Sequence, residues 1–161
     1  MTIRFILNGE DVEVNAGANR RLINILREQL VCTAAKCGCL SGHCGACSVV
    51  FNGAVTPSCL IPAFRAHGSE VVTLEGFSQT EEFQDIAGGF AKTGVENCGY
   101  CDAGKILGTE LLLEQNLQPS KKDFSAAFRS IRCRCTDAEC LYQGILAAGE
   151  LRQRRMYGRT I

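Results

Sequence analysis

Cysteine carries most of the chemistry written into this chain: eleven of its 161 residues are Cys, and most of them fall at short spacings. That is roughly 7%, close to the level at which composition points to a disulfide scaffold or a metal protein. The first group is Cys39, Cys44 and Cys47, spaced Cys-x4-Cys-x2-Cys, with Cys59 following after eleven intervening residues. Three thiolates from one loop and a fourth from a separate element is the plant-type [2Fe-2S] spacing. Structural zinc usually draws two ligands from each of two short knuckles, so the three-plus-one arrangement favours iron–sulfur. Gly38, Gly42 and Gly45 interleave these thiols. Glycine lets backbone wrap round a cluster and turn its N–H groups toward the sulfurs.

The second group is Cys98-x2-Cys101 and Cys133-x-Cys135, two pairs separated by 31 residues. Each pair lies in a loop that opens onto a helix, so two loops at one end of a bundle would converge on a cofactor. A thioredoxin-like reading of Cys-x2-Cys needs a βαβ context that this half lacks. Tetrahedral zinc remains a rival on spacing alone. Arg132 and Arg134 flank the second pair, either offsetting the negative charge of four thiolates on a [2Fe-2S] core or lying as solvated surface.

Three cysteines are left over. Cys32 follows an apolar helix end and is expected as a small buried hydrophobe, and Cys140 as packing on the last helix. Cys37 could substitute as a ligand, but Cys39 has the right spacing. His43, beside Cys44, invites a Rieske reading; that needs two histidines, and the only other, His67, is far from any partner cysteine. Arg152, Arg154, Arg155 and Arg159 form a basic tail, expected as a solvated face or subunit contact.

The elements that must position these thiols follow from periodicity. Thr2 to Leu7, the Asn8-Gly9 turn and Asp11 to Val14 predict a β-hairpin. Asn19 is placed to cap a helix from Arg20 to Leu30, with Leu22, Ile25, Leu26 and Leu30 on one face. After the Cys-rich loop come a strand at Ser48 to Phe51, a second Asn-Gly turn at Asn52-Gly53, and a strand at Glu70 to Leu74. Strands and one helix round a glycine-rich loop make a compact α+β unit. Beyond Gly76 the period becomes helical. Stripes at Phe83, Ile86, Ala87, Phe90; Ala103, Ile106, Leu107, Leu111; Phe124, Ala127, Phe128, Ile131; and Leu141, Ile145, Ala148 imply a small four-helix bundle. The third is entered through Ser120 with Asp123 three residues on. The boundary is expected between residues 75 and 80, giving units at 1–76 and 80–161.

Seventeen basic and seventeen acidic residues sum to zero, so the chain lacks the basic footprint of a nucleic-acid binder. Its 46% hydrophobic and 21% charged content is that of an ordinary globular protein. The first residues show no signal-peptide pattern, and Arg20-Arg21 sits in a helical pattern rather than in a twin-arginine signal. No stretch is long and apolar enough to cross a membrane. A cytoplasmic, reducing location is therefore expected, where clustered Cys reads as metal binding, and eleven thiols cannot all pair as internal disulfides.

Lys36-Cys-Gly-Cys-Leu-Ser-Gly-His-Cys-Gly-Ala-Cys-Ser-Val49, Cys98-Gly-Tyr-Cys101 and Cys133-Arg-Cys-Thr136 together resemble the small iron–sulfur subunit of the molybdenum hydroxylases, the xanthine dehydrogenase, aldehyde oxidoreductase and carbon monoxide dehydrogenase family. The resemblance runs from the first hairpin to about residue 150. It implies a plant-type ferredoxin-like (β-grasp) domain holding one [2Fe-2S] cluster at Cys39, Cys44, Cys47 and Cys59. It implies a second cluster at Cys98, Cys101, Cys133 and Cys135 in a helical domain. It further implies a large molybdopterin subunit and an FAD subunit as partners, with electrons passing from molybdenum through the second and first clusters to flavin. Substrate would be bound on other chains. With two oxidised clusters and eight thiolates, about four negative charges are added and the working protein would be acidic.

The sequence departs from the family where the pterin would approach. Asn97 stands for the usual Gln before Cys98, Asp102-Ala103-Gly104 for Thr-Pro-Gly after Cys101, Ile131-Arg132 for Asn-Leu, and Asp137-Ala138 for Gly-Tyr. Asn97 is one methylene too short to match the glutamine that reaches the pterin. The expectation is a retained cluster with altered pterin contact. The alternative is a redox adaptor joining a flavoprotein to a divergent or non-molybdenum partner.

Overall fold

The computed structural model describes residues 1–158. Arg159 of the basic tail lies outside them. Strands β1 (Thr2–Leu7) and β2 (Glu10–Asn15) form the expected hairpin, antiparallel from Thr2 opposite Asn15 to Leu7 opposite Glu10. Helix α1 (Leu22–Glu28) follows, then the Cys-rich loop, β3 (Ser48–Phe51), β4 (Ala54–Pro57), a 3-10 turn at Ser58–Leu60, α2 (Ala63–Ala66) and β5 (Glu70–Val72). The five strands form one mixed sheet in the order β2-β1-β5-β3-β4, with only β1 and β5 parallel.

The sheet is exposed on one face at β1 and β2 and covered on both at β3 and β5, and the period of two sorts its residues. Val49, Phe51 and Val71 point to a core shared with Ile3, Phe5, Leu22, Ile25, Leu26 and Ala63. Their neighbours Val50, Val55 and Val72 point the other way and pack against the helical half. That half comprises α3 (Leu74–Phe77), α4 (Glu81–Thr93), α5 (Asp102–Gln115), α6 (Lys121–Ala127) and α7 (Ala138–Tyr157). Helix α5 lies between the sheet and the other helices, so its burial extends beyond the expected stripe to Lys105, Thr109 and Glu110. The expected capping box at Ser120 and Asp123 is present, with both reciprocal bonds.

Three expectations need correction. Asn19 does not cap α1; the helix starts two residues later, and the Leu22 N–H donates to Ile61 O at 2.8 Å beside an Arg21–Pro62 bridge. A tertiary partner has taken the role of a local cap. The strand predicted to Leu74 stops at Val72, because Thr73 N–H donates to the Asn8 side chain at 2.8 Å and Leu74 opens α3. The basic tail is no free surface at Arg152, which is 4% exposed and donates to both Glu110 oxygens at 3.2 and 2.5 Å. Arg155 pairs with Glu81, Glu82 and Asp85 on α4. Only Arg154 of the described tail is exposed without an ion pair. Among the described residues no helix is long and apolar enough to cross a membrane.

Candidate metal centres

Arginines at the two ends of α1, Arg21 just before it and Arg27 in its last turn, anchor the first loop. Arg21 Nη1 donates to Leu40 O at 2.7 Å, and Arg27 Nη1 donates to Thr33 O at 2.8 Å and Ala35 O at 2.7 Å. Lys36 N–H donates to Ala46 O at 2.8 Å and closes the loop on itself. Ser58 then draws in the fourth thiol: its N–H and hydroxyl both donate to Cys47 O, at 3.1 and 2.7 Å, which sets Cys59 beside Cys47. Cys47 and Cys59 are buried together with Ile23 and Ala35, whereas Cys39 is exposed and Cys44 half-buried.

Backbone amides are aimed at sulfur here. Ser41 and His43 N–H groups donate to Cys39 Sγ at 3.4 and 3.2 Å, and Cys39 N–H donates to Cys44 Sγ at 3.5 Å. Gly42 and Gly45 have φ of 78° and 72°, as a loop folding round a ligand requires. Gly38 serves by space instead, since a Cβ there would lie 2.7 Å from Cys44 Sγ.

The second group forms at the start of α5 and in the connection from α6 to α7. Gly99 N–H donates to Asp102 Oδ2 at 2.8 Å and fixes the Cys98–Cys101 turn. Thr136 Oγ1 accepts from Glu96 N and donates to Glu96 O, both at 3.1 Å, tying the two loops together. Cys133 and Cys135 sulfurs stand 3.4 Å apart. Further thiol–thiol contacts join Cys101 to Cys133 and Cys98 to Cys135, as they join Cys39 to Cys44 and Cys47 to Cys59 in the first group. Among the described residues no three His, Cys, Asp or Glu side chains converge as a single-ion site. The first group makes two pairs, and the second a chain running Cys101, Cys133, Cys135, Cys98.

Burial and hydrogen bonding divide their acidities. The Ser41 hydroxyl, with the Ser41 and His43 amides, lowers Cys39 to about 5. Burial pushes Cys47 and Cys101 up to about 12. Cys135 is raised by burial and by the neighbouring Cys133 and Cys98 thiols. At Cys133 burial acts upward, but bonds from Cys135, Thr136 and Cys101 outweigh it and the thiol is lowered. Thiolate is the form that ligates metal, so iron must displace protons from the buried members.

The two groups are neighbours. Arg132 N–H, adjacent to Cys133, donates to Cys44 O at 3.1 Å. The Tyr100 hydroxyl lies 3.2 Å from where a Cβ on Gly38 would stand. A Cβ on Gly104 would meet Gly45 O at 2.7 Å, so α5 abuts the first loop with no room for a side chain. The first four thiols lie on one loop and the turn bonded to it, Cys39 near Cys44 and Cys47 near Cys59; the second four lie on the two loops tied by Thr136, and Asn97 is exposed beside exposed Cys98. The side chains of Arg132 and Arg134 are exposed.

The leftover residues take other places. Cys32 is buried in the first core, Cys140 packs against the second with its thiol 3.4 Å from Thr93 O, and Cys37 is exposed. His43 and His67 are exposed, His67 accepting from Arg4 N–H at 3.2 Å. Spacing missed Lys105, whose buried ammonium donates to Glu96 O and faces Asp102 at 3.5 Å. Its only signal was a charge three residues from Asp102 inside an apolar helix.

Residues 5–71 match the family described as "2Fe-2S iron-sulfur cluster binding domain", and residues 73–149 the "[2Fe-2S] binding domain". The chain is 38% identical over 136 residues to the nicotinate dehydrogenase small FeS subunit of Eubacterium barkeri, covering 84% of this chain and 87% of that one. It is 32% identical to the xanthine dehydrogenase iron-sulfur-binding subunit of Escherichia coli, over 91% and 92% of the two chains. Among solved structures it is similar to a chain of quinoline 2-oxidoreductase from Pseudomonas putida 86, with a TM-score of 0.86 and 31% identity over 98% of each.

Proposed function

Because the chain belongs to the small [2Fe-2S] iron–sulfur subunits of the molybdenum hydroxylase family, we propose that it carries two clusters and relays electrons within a multi-subunit hydroxylase or dehydrogenase. Cys39, Cys44, Cys47 and Cys59 would hold the first cluster, and Cys98, Cys101, Cys133 and Cys135 the second. Three thiols from one loop and a fourth from a neighbouring turn in the first group suit a two-iron core better than one tetrahedral zinc. Each cluster, when bound, supplies a one-electron ferric/ferrous couple.

The observation that supports this reading is the bond between the two Cys-bearing segments: the Arg132 amide donates to Cys44 O and ties the loop of the first group to the segment entering Cys133. The chain then conducts from a molybdopterin subunit, through its helical half and its ferredoxin-like half, to an FAD subunit or another acceptor, and binds no substrate itself. Exposed Cys98 and Asn97 offer one approach, with Asn97 as the neighbour of the pterin; exposed Cys39 offers the other. The unit boundaries are residues 1–76 and 80–161, and the location is cytoplasmic. A second reading, an adaptor between a flavoprotein and a partner without molybdenum, draws on Asn97 and on Asp102-Ala103 in place of the family's Gln and Thr-Pro.

Purification of the native complex separates them. Co-purifying large and FAD-binding subunits, with molybdenum and flavin stoichiometric to this chain, are expected. Flavin without molybdenum would favour the adaptor, and a chain isolated without redox partners would overturn both.

A further inference from the structure

Lys105 is 0% exposed, one turn into α5 behind Cys101. Its amide donates to Cys101 O at 3.1 Å, and its ammonium donates to Glu96 O. The same carbonyl lies 3.6 Å from Cys135 Sγ, so one oxygen separates the ammonium from a thiol of the second group. Among the described residues the only carboxylate paired with it is Asp102, at 3.5 Å, whose Oδ1 makes no hydrogen bond there. Burying an ammonium is costly unless negative charge compensates it. One carboxylate out of hydrogen-bond reach is weak compensation.

The missing compensation is at hand. Four thiolates on an oxidised [2Fe-2S] core carry a net charge of about −2, and one-electron reduction makes it about −3. A fixed positive charge nearby favours the reduced form, and a fixed negative charge opposes it. We infer that Lys105 is the residue that sets the reduction potential of the second cluster, with Asp102 trimming its effect.

The inference rests on the two-cluster reading, and the two are tested separately. Iron and sulfide counts on the unaltered full chain test the reading: fewer than about four irons overturns it and the inference with it. Midpoint potentials, followed by electron paramagnetic resonance during redox titration of the loaded chain, test Lys105. Attraction between unit charges a few ångström apart is several RT even at an effective dielectric constant of about 20. Lys105→Met is therefore expected to lower the second midpoint by at least a tenfold change in the equilibrium, about 59 mV for one electron. Asp102→Asn, which keeps an oxygen to accept from Gly99, should raise it. Lys105→Arg should hold it, and the first midpoint should change less than the second throughout. A merely structural role would not give opposite signs. An unmoved second midpoint in Lys105→Met overturns the assignment. If that variant loses the second cluster, a midpoint that does not rise in Asp102→Asn overturns it.

Discussion

Gly38→Ala places a methyl carbon 2.7 Å from Cys44 Sγ, 3.2 Å from the Tyr100 hydroxyl and 3.4 Å from Ala46 Cβ. Ordinary contact at sulfur needs roughly 3.7 Å, so the shortfall is about 1 Å. The new carbon is fixed to the backbone and Tyr100 and Ala46 close the other directions, so the thiol must give way. Metal–ligand distances tolerate about 0.2 Å, and a displacement five times larger removes Cys44 from the first cluster or opens the loop. Overpacking of this kind costs about 1–3 kcal/mol. The loop is also bonded to the second site through Arg132, but the one thiol among the three atoms nearest a Gly38 Cβ is Cys44 of the first site. Iron and labile sulfide per chain should fall from about four to about two, with one paramagnetic signal lost after reduction and the other kept. Gly9→Ala is the control: its Cβ meets nothing within 4 Å, and at φ +86° it costs about 1–2 kcal/mol without touching either site. Gly38→Ala protein with full iron and both signals unaltered would refute the reasoning.

Other perturbations test the scaffold. Arg152→Met strands Glu110 in the core and should destabilise the chain by about 3–5 kcal/mol in urea unfolding, while the double variant with Glu110→Met recovers most of the loss. Burial already raises Glu110 despite Arg152 beside it. A carboxyl raised in the folded state contributes most below its unfolded value of about 4.3 and loses that contribution as pH rises through the folded value, so the Arg152→Met penalty should be smallest near pH 4 and grow toward neutrality. Ser120→Ala removes a capping box and should cost about 1 kcal/mol in the same assay, with iron content unchanged.

Much of the candidate site was legible because its signals are local. The Asn8-Gly9 hairpin, the Asn52-Gly53 turn and the Ser120 cap are patterns within a few residues, and the backbone realises them where they stand; the Cys spacings are also local. Strand β4 and the turn carrying Cys59 were missed because four residues with one exposed position show no period. Asn19 failed as a cap because Ile61, some forty residues away, supplied the acceptor. Arg152 was misjudged and Lys105 missed for a shared reason: a charged side chain on a helix is solvated by default, and the partners that take their hydrogen bonds, the Glu110 carboxylate and the Glu96 carbonyl, come from other segments.

Two clusters on one chain are tested most directly by iron, zinc and acid-labile sulfide analysis of the purified protein, with paramagnetic resonance after dithionite reduction. We expect about four irons and four sulfides, two distinct signals, and loss of one signal alone in Cys47→Ser and of the other alone in Cys101→Ser. Stoichiometric zinc without sulfide, or a single signal abolished by both substitutions, would contradict the two-centre relay.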